Sequence, residues 1–173
     1  MFYLLIIVLF GGFFISKGAF TYLQSNGLIA LSVTIIGWFI VYKNARRLAT
    51  RSETKSFIDD LMKLVTEIEK TAVDFWLAEA DKRTEHRHHE MLMLAKLGLL
   101  NQKIELLQER SIVIDELVEH VGLFHEGILL DCEQVSSMSL DDRINKANDV
   151  LGYGKEIQTS LYKKFAKKYP PVL

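Results

Sequence analysis

Two stretches near the start of this chain carry no charged residue, and a dense basic cluster follows the second. Residues 1–16 (MFYLLIIVLFGGFFIS) and 28–42 (LIALSVTIIGWFIVY) contain no Asp, Glu, Lys or Arg, and Lys43, Arg46, Arg47, Arg51 and Lys55 come directly after. A backbone in hydrocarbon must satisfy its hydrogen bonds within the segment, so uncharged apolar runs of this kind read as helices in lipid. Positive flanks stay on the cytoplasmic side. The expectation is therefore a two-helix transmembrane hairpin over residues 1–43, with residues 44–173 in the cytoplasm and the protein in the inner (plasma) membrane. Lys43, Arg46, Arg47 and Arg51 would then lie at the lipid interface. Length sets a tension within this reading. At 1.5 Å per residue, runs this short cover roughly 22–24 Å, against a hydrocarbon core of about 30 Å.

Residues 1–16 lack the basic n-region of a signal peptide, so the hairpin is expected to be uncleaved. Residues 17–27 would form its outside turn, with Ser25, Asn26 and Gly27 supplying turn chemistry. Small residues on the two apolar runs (Gly11 and Gly12 on the first, Ala30, Thr34 and Gly37 on the second) are expected to permit close helix packing. No charge lies in either run, which argues against an ion or proton relay of the transporter type.

The remainder reads as a bundle of about four helices. The only two prolines, Pro170 and Pro171, stand at the end, and no Gly/Ser-rich linker interrupts the chain. Apolar residues recur at helical spacing in four segments. The first carries Phe57, Leu61, Leu64, Ile68, Ala72 and Phe75, and either starts near Arg51 or continues unbroken from the apolar run. The second, from about Thr84 to Arg110, carries Leu92, Met93, Leu97, Leu100, Ile104 and Leu107. Ser111 is expected to cap the third, which carries Ile114, Leu117, Val121, Phe124, Ile128 and Val135. Ser139 with Asp142 resembles a capping box opening the fourth, which carries Ile144, Ala147, Leu151, Ile157, Leu161 and Phe165. The expected core includes Leu61, Ile68, Leu97, Ile104, Leu117, Phe124, Leu151 and Leu161. No stretch alternates with period two, so the class is all-α.

A net charge of −1 argues against a general nucleic-acid binder, and the single cysteine, Cys132, can form no internal disulfide. The densest polar segment is residues 81–90, DKRTEHRHHE, and three readings of it stay open. It is a solvated helix start with ordinary i,i+4 pairs at Glu85/His89 and His86/Glu90. It is a metal site: Glu85-x-x-His88 has the spacing of di-iron bundles, but no second Glu-x-x-His accompanies it, leaving a small zinc site at His86/Glu90. Or it is ribonucleolytic, with Arg83 and His88 as the catalytic pair, because Arg83-x-x-x-x-His88 resembles the Arg-x(4–6)-His motif of HEPN domains. His120 and His125 read as helix-surface or core-edge residues. No Gly-rich phosphate loop, nucleophile elbow or Cys-pair motif is present.

The plan of an N-terminal anchor on a helical cytoplasmic domain, with Arg83…His88, resembles the small membrane accessory proteins of RNA-targeting CRISPR effectors. Those are described as ring-like membrane pores carrying a HEPN-like motif. The resemblance implies an oligomeric membrane pore or scaffold in bacterial or phage defence, with membrane lipid, further copies of itself and a defence-system protein as partners. The alternative it implies is a membrane-tethered ribonuclease acting on RNA through Arg83 and His88. Neither reading calls for a cofactor or metal, and the residues lean towards a non-enzyme.

Overall fold

The computed structural model describes residues 27–170, which are all-α. Four helices follow one another: α1 (Leu28–Leu77), α2 (His86–Glu109), α3 (Asp115–Leu129) and α4 (Leu140–Lys168), with a 3-10 turn at Cys132–Gln134 between α3 and α4. The chain divides into two compact units, Met1–Thr50 and Arg51–Leu173.

The transmembrane expectation is not met. No helix among the described residues is long and apolar enough to cross a membrane. The physical reason lies in the second apolar run, which ends at Tyr42 while α1 continues without a break through Lys43, Arg46, Arg47 and Arg51. Its uncharged portion is about 22 Å long at helical rise, well short of a hydrocarbon core. The expected hairpin, the membrane pore built on it and the inner-membrane location fall with this finding. The first apolar run, the turn residues 17–26, and Gly11 and Gly12 lie outside the described residues.

In the unit Arg51–Leu173 the four helical segments share one apolar core. α1 contributes Ile58, Leu61, Val65, Ile68, Ala72, Phe75 and Trp76, and α2 contributes Met93, Leu97, Leu100, Ile104 and Leu107. Leu117, Val121, Phe124 and Ile128 enter from α3, and Ala147, Val150, Ile157 and Leu161 from α4. Steps of three and four put each set on a single helix face, which is why these amphipathic sequences fold as helices around a common interior. One end is closed by polar contacts: the buried Thr54 hydroxyl lies 3.2 Å from the Tyr169 hydroxyl and accepts from Arg110 Nη1 at 3.4 Å. Leu151, expected in the core, is 47% exposed. The buried face of α4 runs through Ala147, Val150, Gly154, Ile157 and Leu161, and Leu151 stands one residue, about 100°, off it. Leu92 and Ile144 are exposed for the same reason.

Local chemistry decides where the helices end. Ser111 caps no helix start; it adopts φ 56° as the left-handed residue closing α2. The Ser111 N–H donates to Gln108 O at 2.7 Å and the Ile112 N–H to Leu107 O at 3.0 Å, a Schellman pair that satisfies the last carbonyls of α2. α3 begins without a side-chain cap, but Asp115 and Glu116 in its first turn face the positive end of its dipole. It stops at Leu129 rather than running to Val135, because Asp131 turns left-handed at φ 66°. Lys146 fixes that corner through Asp131 Oδ2 at 2.8 Å and Leu130 O at 3.3 Å. Ser139 does cap α4, its hydroxyl accepting from the Asp142 N–H at 3.1 Å.

One carboxyl group is buried at the α1–α4 contact. Glu69 packs over Gly154, where an added Cβ would overlap the carboxyl group, and Gln158 Nε2 donates to it at 3.4 Å. Burial raises its pKa above the ordinary 4.5. The folded state therefore holds this proton more tightly than the unfolded chain, and the stability it contributes is lost as pH rises above that value. Glu69→Gln should raise the melting temperature at pH 7 and leave it nearly unchanged at pH 4, as read by thermal unfolding at the two pH values.

Candidate functional site

The polar segment 81–90 joins α1 to α2, and its residues separate into different tasks. Arg83 lies beyond the C-terminus of α1, where carbonyls lack helical partners. Its Nη2 donates to Ala78 O at 2.8 Å and its Nη1 to Val135 O at 3.3 Å. Arg143 reaches the same place from α4, donating to Ala78 O at 3.0 Å and Trp76 O at 3.4 Å. Burial, and then the nearby Arg143 guanidinium, lower the pKa of Arg83. His88 is exposed, and no hydrogen bond or ion pair joins it to Arg83. The guanidinium of Arg83 is thus engaged in closing a helix end and tying it to the turn at Val135.

The three histidines of the segment diverge in the same way. His86 is half-buried and His88 exposed, while His89 is 2% exposed and stacked on Phe75 with ring centroids 3.7 Å apart and planes 7° from parallel. Burial lowers the pKa of His89 to about 4, with a backbone hydrogen bond at Ile128 pulling the other way. No group of three or more His, Cys, Asp or Glu side chains that could hold a metal ion exists among the described residues.

The second apolar run, by contrast, is an unburied surface. Leu31, Val33, Ile35, Ile36, Trp38, Phe39, Ile40, Val41 and Tyr42 on α1 are all exposed, Trp38 to 71%. Consecutive exposed positions cover every side of the helix, so this part of the Met1–Thr50 unit has no apolar face turned inward. Trp38 and Tyr42 stack on one another at 5.9 Å, one turn apart. The Thr34 hydroxyl donates back to Ala30 O at 2.8 Å, so it presents no unmet donor. Among the described residues a Cβ built on Gly37 meets nothing within 4 Å. Lys43, Arg46 and Arg47 follow, also exposed, and Arg51 is half-buried.

A third feature, absent from the sequence reading, is a groove of about 420 Å³ between α3 and α4. Glu116 and His120 line it from α3; Gly152, Lys155, Glu156, Thr159, Ser160, Lys163 and Lys164 line it from α4. These α4 positions follow steps of three and four and so share one side of the helix. Lys164 Nζ lies 3.3 Å from Glu116 Oε2, and His120 Nδ1 lies 3.4 Å from Glu156 Oε2 without hydrogen-bond alignment. Ser160 is 6% exposed and its hydroxyl has no partner. The spacing of Lys155, Thr159, Ser160 and Lys163 was visible in the sequence as a polar stripe. Only packing against α3 turns that stripe into the wall of a groove.

Compared with family models, curated proteins and solved structures, the chain matches none.

Proposed function

We propose that this chain is a non-catalytic helical scaffold that assembles with further copies of itself through the apolar run of α1. The observation that carries the reading is the exposure of that run on every side. A helix apolar all round normally has protein packed about it, and contiguous exposed apolar surface of this kind marks an interaction site. A second copy is the occupant that fits. Residues 30–42 carry no charge, so two such runs side by side set no like charges against each other. Lys43, Arg46 and Arg47 stand at one end only, which favours antiparallel pairing: it holds the two clusters about 20 Å apart, beyond the screening length. Ala30, Thr34 and Gly37 offer a side on which helix axes can approach closely. Service in a bacterial or phage defence system rests on the resemblance to CRISPR accessory proteins alone.

Sedimentation of the purified full chain over a range of concentrations tests this. The wild type should sediment as an oligomer. Trp38→Asp and Val41→Asp should shift it to monomer without loss of helical circular dichroism. Gly37→Leu should do the same, because bulk there blocks the close approach of a second helix, and among the described residues its Cβ meets nothing within 4 Å. A monomeric wild type, or an oligomer indifferent to all three substitutions, refutes the proposal.

A further inference from the structure

We infer that the α3–α4 groove is a binding site for a small ligand bearing a phosphate monoester, seated at the Ser160–Lys163 end. This goes beyond self-assembly and rests on different residues in the other unit of the chain. The first argument is the Ser160 hydroxyl. A buried hydroxyl is normally hydrogen-bonded, and one left without a partner beside a cavity indicates an acceptor that belongs there. Ser160 is 6% exposed, lines the groove and has no partner.

Charge is the second argument. Of the ionisable groups lining the groove, Glu116 is matched by Lys164 and Glu156 faces His120. Lys155 and Lys163 are exposed, and among the described residues neither has an ion-pair or hydrogen-bond partner. The groove therefore carries a surplus of positive charge, with two hydroxyls, Thr159 and Ser160, next to Lys163. A lysine ammonium recognises phosphate as a point charge, and a hydroxyl adds a charge-assisted hydrogen bond. The volume, about 420 Å³, lies in the range of small-molecule sites. Gly152 leaves open space above the backbone along the same wall.

A second groove of similar size supplies the contrast. About 430 Å³ in volume and lined by Asp59, Met62, Lys63, Thr66, Glu67, Lys70 and Gln158, it also contains lysines. There Gln158 bonds to Thr66 at 3.2 Å, Lys63 pairs with Asp60, Glu67 pairs with Lys96, and the two remaining charged groups, Asp59 and Lys70, are of opposite sign, so the lining holds no surplus of positive charge. No unpartnered buried side-chain atom lines it. The presence of lysines alone thus does not single out the α3–α4 groove; the orphaned hydroxyl does.

The test is titration of the full chain with inorganic phosphate and, separately, with adenosine 5′-monophosphate, followed by calorimetry and by backbone amide shifts. Both should bind, with perturbations centred on Thr159, Ser160 and Lys163. Tighter binding of the nucleotide identifies a nucleoside monophosphate class; equal binding identifies phosphate itself as the recognised group. Ser160→Ala should weaken binding about tenfold or more, and Lys163→Ala should do likewise. Ser160→Ala should not lower the melting temperature, since it removes a hydroxyl with no partner to lose; a purely structural serine would behave oppositely. Lys63→Ala, in the second groove, should leave binding unchanged. The inference is overturned if neither probe binds, if Ser160→Ala and Lys163→Ala bind as the wild type does, or if Lys63→Ala weakens binding equally.

Discussion

Phe124→Ala should destabilise the Arg51–Leu173 unit by about 3–5 kcal/mol, read as a lower midpoint of urea unfolding with an unchanged slope. Phe124 is fully buried on α3 within the shared core. Its loss removes a large apolar surface from a close-packed interior and leaves a cavity that rigid helices collapse into only in part. Domains of this size have a total stability of about 5–15 kcal/mol, so the variant should sit near the edge of folding at room temperature. Leu151→Ala provides the comparison. Both residues were expected in the core from spacing alone, but Leu151 is 47% exposed and its truncation should cost under about 1 kcal/mol. Equal losses at the two positions would contradict the arrangement of the bundle.

Acidification should destabilise the bundle through His89. The ring lies stacked on Phe75 and its pKa falls from 6.5 to about 4. Its folded value is below its unfolded value, so between these limits the unfolded chain binds the proton more readily. Stability is then fully present above about pH 6.5 and declines as pH falls towards 4, by on the order of 2–3 kcal/mol. Glu69 acts in the opposite sense, since its pKa is raised, and the two contributions have to be separated by variants. His89→Gln should flatten the acid limb of a plot of melting temperature against pH, and Glu69→Gln should steepen it. An acid limb unaltered by His89→Gln would show that other groups carry it.

How far the sequence alone reaches differs from feature to feature. The register of α2 was readable because Met93, Leu97, Leu100, Ile104 and Leu107 repeat without interruption. The start of α4 was readable because Ser139 and Asp142 form a cap from side chains three residues apart. The left-handed turns were not. Ser111 was read as the start of a helix and instead closes one, since the Schellman pair depends on where Ile112 is buried. The break after Leu129 depends on Asp131 at φ 66° and on a lysine fifteen residues further along α4. The apolar composition of residues 28–42 suggested lipid, but the helix that contains it runs on through Lys43, Arg46 and Arg47 to Arg51, and a count of apolar residues does not carry that continuity.

Functional residues divide along the same line. Arg83 and His88 stand five residues apart, a spacing that suggested a catalytic pair; in the fold one is drawn to the carbonyls of Ala78 and Val135 while the other faces outward. His120 and Ser160 stand forty residues apart, and nothing local relates them, yet they line one groove. What the sequence by itself determined is the part governed by local periodicity and local hydrogen bonding: an all-α chain, the core-facing stripes, the cap of α4. What only the tertiary structure decided is which polar groups find partners. A guanidinium, an imidazole or a hydroxyl has its chemistry set by burial and by neighbours remote in the chain, and those are fixed only when the helices pack.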